Sequence, residues 1–238
     1  MLPPPFVLFE WGRAGAGVGL FDIPPISIYS IPNLTLVREK PKPMPKHTDL
    51  PRKNQILAAA EQLFREKGYL ATSVRDIGNA VGVRGASLYH HIGGKEELLW
   101  LIATRAADEF FTALQPVMAS AESTPLKLRK AIVAHVGVIT RNLDASAVYF
   151  NEWRHLKKAQ GTAFAKRRDE YEGLFRALLD QGIREGIFAP VDERFAARLV
   201  LSALNWTHQW YRPDGPMTAE EIGSTLADML LNGMYRTA

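Results

Sequence analysis

The 238 residues contain no cysteine, which excludes disulfides, a thiolate nucleophile and cysteine-ligated metal sites. Histidine is sparse. His90 and His91 are neighbours and so diverge on a helix, while His47, His135, His155 and His208 have no partner at a ligand spacing such as i, i+4. A metal site is therefore not expected. Apolar runs fall short of the ~18 residues needed to span a bilayer, and no basic start followed by an apolar core marks a secretion signal, so the expected compartment is the cytoplasm. The chain also lacks a GxSxG elbow, a Walker-type loop and a dinucleotide fingerprint; GRAGAG at Gly12 to Gly17 follows no strand and precedes no helix. Paired acids at Glu96-Glu97, Asp169-Glu170 and Glu220-Glu221 read as helix N-terminal charge and solvated faces. Neither a catalytic residue nor a cofactor follows from these features.

What is present begins with an uneven charge balance. The formal net charge is only +4, yet residues 44–95 carry eight Lys/Arg against four Asp/Glu, whereas residues 96–238 carry seventeen against eighteen. A local basic surplus is the footprint of a module that meets duplex phosphates. Within it lies Thr72 to Lys95, TSVRDIGNAVGVRGASLYHHIGGK. Ser73 can cap a short helix from about Val74 to Val81, with Asp76 reaching back in a capping box. Gly82 stands where the chain must turn sharply, and Arg84 to His91 gives a second short helix. Val74, Ile77, Val83, Leu88 and Ile92 supply apolar contacts between the two. Arg84, Gly85, Ala86, Ser87, Tyr89 and His90 are left outside, combining small residues for close approach with donors for phosphates and base edges.

At these residues the chain resembles the TetR family of bacterial transcription regulators. The likeness begins at RKNQILAAAEQLFREKGYL, Arg52 to Leu70, where Ile56, Ala60, Leu63 and Phe64 form one apolar stripe and Gly68 ends the helix. It continues through ATSVRDI, AVGVR, SLYHHI and GGKEELL. This sequence departs from the family pattern at Arg84, where Ser or Thr is usual, and at Gly85, where a basic residue is common. Ile92 stands where Phe is usual, and Gly78 where Ala is usual. The resemblance implies that Tyr89, His90, His91 and Lys95 grip the phosphate backbone. The expected DNA-contacting set is Ser73, Val74, Arg84, Gly85, Ala86, Ser87, Tyr89, His90, His91 and Lys95.

Residues 1–43 have a different character. Pro3 to Pro5, Pro24, Pro25, Pro32, Pro41 and Pro43 punctuate them, and no helical or strand period is sustained. Since MPKHTDLPRKNQIL from Met44 looks like a family N-terminus, residues 1–43 are read as a mis-assigned upstream start or a disordered arm. Arg38, Lys40, Lys42 and Lys46 would make a minor-groove arm on one reading and a solvated tail on the other.

Beyond Lys95 every long segment has helical periodicity. Helices are expected from Lys95 until Pro116 kinks or ends the run, then over Thr124–Asn142, Ala145–Lys157, Thr162–Glu185, Asp192–Trp210 and Ala219–Met234. The expected fold is all-α: a three-helix helix-turn-helix DNA-binding domain over 44–95, then a helical effector-binding and dimerisation domain over 96–238. The resemblance implies that the last two long helices pair with their mates in a homodimer, and hence a pseudo-palindromic operator.

Aromatic side chains concentrate in this second domain. Tyr149, Phe150, Trp153, Trp206, Trp210 and Tyr211 suit either core packing or an effector cavity. The phrases YFNEWRHL, RRDEYEGLFR and NWTHQWYRPDGPMTAEEI resemble the branch of the family that responds to acyl-CoA thioesters. The expected ligand-binding set is Phe111, Tyr149, Trp153, Tyr171, Trp206 and Trp210, with Arg154, Lys157, Lys158, Lys166, Arg167 and Arg168 available to CoA phosphates. The chain is thus expected to be a ligand-responsive repressor, released from double-stranded operator DNA by an acyl-CoA or another small hydrophobic effector. The alternative is an enzyme or non-DNA interaction module that retains a vestigial helix-turn-helix.

Overall fold

Among the described residues, which are 50–83 and 88–234 of the computed structural model, every regular element is a helix. Helix α1, Leu50–Lys67, buries Ile56, Leu57, Ala60 and Phe64 at helical spacing, and Leu63 packs at the edge of the same core. Helix α2, Val74–Ala80, starts with the expected capping box: Asp76 N–H donates to Ser73 Oγ at 3.1 Å, and Asp76 Oδ2 accepts Ser73 N–H at 2.8 Å. The Ser73 hydroxyl, donating to Asp76 Oδ2 at 2.6 Å, and then the Ser73 N–H hold the Asp76 carboxyl below its usual range. Gly82 then adopts φ +67°, a conformation a Cβ would strain, and Leu88 and Ile92 return to the core. Arg84, Gly85, Ala86 and Ser87, as well as residues 1–43 with their basic arm, lie outside the described residues.

Helix α3, Lys95–Ala119, crosses from this module into the rest of the chain, a length of about 37 Å at 1.5 Å per residue. Its buried stripe is Leu98, Leu99, Ile102, Ala103, Ala106, Ala107, Phe110 and Leu114. Pro116 does not end it. The one bond it cannot donate is that to Thr112 O; the helix runs on to Ala119 and closes through Ser120 N–H on Val117 O. Helix α4, Thr124–Arg141, has Pro in its first turn and runs against α9, Ala219–Asn232, so closely that a Cβ on Gly223 would lie 3.1 Å from Val133 Cα. The Thr218–Glu221 capping box at the start of α9 is also formed.

Three segments differ from the sequence expectation. Residues 145–157 do not make one helix: α5 spans Leu143–Asn151, and a 3-10 turn, Trp153–His155, follows. Helix α6, Lys158–Arg184, starts four residues before Thr162, because the Thr162 hydroxyl bonds back to Lys158 O at 2.9 Å rather than capping a new start. Between 192 and 210 the helix divides into α7, Glu193–Asn205, and α8, Thr207–Trp210. The physical reason is a side chain: His208 Nδ1–H donates to Asn205 O at 2.6 Å, and Gln209 N–H turns to Trp206 O instead. One continuous core runs from Ile56 to Leu231. No described helix is long and apolar enough to cross a membrane.

Candidate nucleic-acid interface and internal cavity

The basic module presents Ser73, Tyr89 and His90 to solvent, with Val74 and His91 half-buried beside them. Lys95 does more than project a charge. Its Nζ donates to Tyr69 O at 2.7 Å and Thr72 O at 2.9 Å, and lies 4.2 Å from the centre of the Tyr69 ring. Two of the three ammonium donors are thereby used to tie the turn before α2 to the start of α3, and one remains for an outside acceptor. These bonds fix the turn that leads into α2.

A cavity of about 240 Å³ opens among α4, α5, α6 and α7. At its inner end sits His135, contributed by the buried face of α4. Asn205 Oδ1 accepts Nε2–H of His135 at 3.1 Å, which leaves Nδ1 as the acceptor for the Tyr171 hydroxyl at 2.9 Å. Burial drives the imidazole pKa down to about 3, opposed by the Asn205 bond, so the ring is neutral at ordinary pH. The same burial raises the Tyr171 phenol well above its usual value and keeps it a donor. Arg168 enters from α6: Nη1 donates to Tyr149 O at 3.2 Å, and the guanidinium lies 5.2 Å from both the Tyr149 and Trp153 ring centres. Desolvation lowers its pKa, yet an arginine remains charged. At the rim, Arg198 Nε faces Glu172 Oε1 at 3.5 Å.

Of the expected ligand-binding residues, Tyr149 and Tyr171 line this cavity. Phe111 and Trp153 stand behind the wall, Phe111 edge-on to Tyr171 at 5.4 Å and Trp153 against Phe164 at 5.9 Å. Trp206 and Trp210 are not brought to it. They lie on the outer surface, 62% and 46% exposed, where Phe195, Leu199 and Met229 are also exposed. Of the six basic residues considered for phosphates, Arg168 lines the cavity, while Arg167 pairs with Asp108 and Lys157 with Glu96. His135, Asn205, Ser202, Leu201 and Arg198 were not singled out as ligand contacts. The signal for His135 was its place in the stripe Leu128, Ile132, His135, Val136, Ile139, since a polar residue on a buried face must find partners inside. A second, open hollow of about 410 Å³ beside Arg105, Asp108 and Arg141 has no aromatic wall.

Two family models match the chain. The bacterial regulatory proteins, tetR family model covers residues 56–100, and the tetracyclin repressor-like C-terminal domain model covers residues 122–234. The regulator PfmR of Thermus thermophilus is 38% identical, over 76% of this chain and 99% of that one, with a TM-score of 0.69. The chain belongs to the TetR family. It is a DNA-binding transcription regulator built from the family's helix-turn-helix and helical C-terminal domains. Among its TetR relatives, the transcriptional repressor KstR2 of Rhodococcus jostii is 29% identical over 185 residues, 77% of this chain and 91% of that protein. The structure of AibR in complex with isovaleryl coenzyme A and operator DNA is 26% identical, over 77% of this chain and 98% of that one, with a TM-score of 0.68.

Proposed function

We propose that the chain acts in the cytoplasm as a homodimeric repressor that leaves a pseudo-palindromic operator when an acyl-CoA thioester occupies the α4–α7 cavity. The observation that carries this reading is the cavity itself, which joins aromatic walls at Tyr149, Phe150 and Tyr171 to a largely buried cation at Arg168. The rings suit an acyl or aryl group, and a guanidinium held by a carbonyl and two aromatic faces can still receive an anionic or carbonyl oxygen. A volume of about 240 Å³ is below the ~300 Å³ at which drug-sized sites begin, so a short or single-ring acyl group fits inside and the nucleotide end stays outside. The walls are more polar than an apolar chain would need; His135, Asn205 and Arg168 favour an acyl group with an oxygen of its own. AibR supports the class of effector, and KstR2 the sign of regulation.

In this reading residues 44–95 read DNA and residues 96–238 sense the effector. Ser73, Val74, Arg84 to Ser87, Tyr89, His90, His91 and Lys95 meet the operator. Exposed Phe195, Leu199 and Trp206 follow at i, i+4 and i+11 along α7 and its continuation, and with Trp210 and Met229 give the dimer an apolar face. Effector binding shifts the population away from the one whose two reading helices fit successive major grooves. No catalysis is assigned. The test is a mobility shift with duplex DNA flanking the protein's own gene, at two salt concentrations, together with mass spectrometry of any molecule that copurifies. A saturable shift that weakens steeply with salt, and a copurified thioester, are expected. A chain that binds this DNA no better than random duplex, and carries no thioester, contradicts the reading.

A further inference from the structure

Residues 142–157 connect the cavity to the reading module by a route separate from α3. Helix α5 gives Tyr149 and Phe150 to the cavity wall. The next residue after the helix, Glu152, keeps its own N–H on Val148 O at 3.0 Å and turns its carboxylate away from the cavity, where Oε2 accepts the N–H of Tyr69 at 3.2 Å. Tyr69 belongs to the turn that leads into Ser73, the cap of α2. At that turn α1 closes with a single bond, Gly68 N–H on Phe64 O at 3.0 Å, so the following N–H, which a Schellman closure would return to α1, is given to Glu152. His155 lies flat against the Tyr69 ring at 5.5 Å and 17°, and Lys157 pairs with Glu96 on α3.

The ties at the other end of α5 are weaker in kind. Arg65 and Asp144 meet at 2.7 Å through side chains more than a third exposed, and Asn142 Nδ2 reaches Glu61 only at 3.5 Å. Glu152 is 17% exposed and its bond is charge-assisted. Because the donor is a backbone N–H, the only slack is in the Glu152 side chain: a shift of Glu152 beyond that reach either carries the Tyr69 turn with it or breaks the bond.

We propose that Glu152 is a positioning residue for operator binding, the point at which the cavity-walling helix holds the turn that orients α2. It touches neither DNA nor effector. The proposal rests on the operator reading above, and adds that displacement of Tyr149 or Phe150 withdraws Glu152 from Tyr69 and frees the module from its DNA-fitting orientation.

The test uses the full chain and a duplex enriched from a random pool by the wild-type protein. Glu152→Ala is expected to weaken that duplex about tenfold while an unselected duplex changes by less than about twofold; Glu152→Gln, which keeps an oxygen to accept the Tyr69 N–H, stays within about threefold of wild type. Phe150→Ala and Glu152→Ala are expected not to add, since both act through the end of α5. Amide hydrogen exchange supplies a readout without DNA: Tyr69 and α2 should exchange faster in Glu152→Ala while α4 is unchanged. Wild-type affinity for the selected duplex in Glu152→Ala overturns the proposal. So does equal loss on both duplexes with a fallen melting temperature, which marks a merely structural role, or additivity with Phe150→Ala. If the wild-type chain enriches no duplex at all, the operator reading fails, and unaltered Tyr69 exchange in Glu152→Ala would then independently overturn the clasp.

Discussion

His135 shows how much one buried side chain can decide. Its neutral form links Tyr171 to Asn205, and burial holds the folded pKa near 3 against an ordinary value of 6.5. The unfolded chain therefore binds a proton near pH 6.5 that the folded chain refuses until far lower, so stability is full above pH 6.5 and falls as pH drops toward 3. The slope approaches about 1.4 kcal/mol per pH unit for one proton. His208, also lowered by burial, acts in the same direction. Urea midpoints at pH 7, 6 and 5 are expected to fall less in His135→Gln, whose amide can keep both hydrogen bonds, than in wild type. Parallel acid limbs would show that His135 is not the group refusing the proton. Lys95 carries two tasks at once. Lys95→Ala is expected to lower both the melting temperature and, by roughly one unit, the salt slope of DNA binding; an unchanged slope would confine Lys95 to holding Tyr69 and Thr72. At this scale the sequence was legible wherever partners are close. Both capping boxes join residues three apart, whereas the partners of His135 are 36 and 70 residues away.

Among the described residues the long helices lie where the sequence placed them, but two expected as single helices are divided and several ends are shifted. Thr162 looks like a cap but bonds back into α6, and His208 takes the carbonyl that would have carried α7 through Trp206. That interruption, invisible to an apolar period, separates the Trp206–Trp210 stretch from the helix that walls the cavity. The break after α5 was equally hidden, and beside it the Glu152 carboxylate accepts from Tyr69, 83 positions earlier. Helix pairing leaves a clearer trace in the small residues. Gly223 brings α9 onto α4, and Gly223→Ala would force a Cβ to within 3.1 Å of Val133 Cα. A loss of about 1–3 kcal/mol is expected from urea unfolding at constant m-value, the usual cost of overpacking. No change would mean that the helices yield enough at this point for the contact to cost no more than the roughly 1 kcal/mol of helix propensity that alanine gains over glycine.

At the scale of the whole molecule, the proposed function gives the basic surplus over 44–95 to DNA and the exposed apolar face on α7 to α9 to a second copy. A charge placed in that face should undo the second. Leu199→Arg is expected to give a monomer by light scattering, with helical circular dichroism retained and operator affinity lost by about a hundredfold or more, because each half-site then binds alone. A dimer that survives would place the interface elsewhere. The family likeness and the reading module were legible from a contiguous stretch of chain; the cavity was only partly so, since Tyr149 and Tyr171 meet His135, Arg168 and Asn205 through folding alone. The most direct measurement is release of a labelled operator duplex, followed by fluorescence anisotropy, as the bound dimer is titrated with short-chain and aryl acyl-CoA thioesters alongside free CoA and the free acids. The account predicts that at least one thioester releases the duplex at one molecule per subunit, that its two halves do much less, and that Arg168→Gln shifts the release curve by about tenfold or more while duplex affinity without ligand is kept. No release by any thioester, or release from Arg168→Gln at wild-type concentrations, would contradict it.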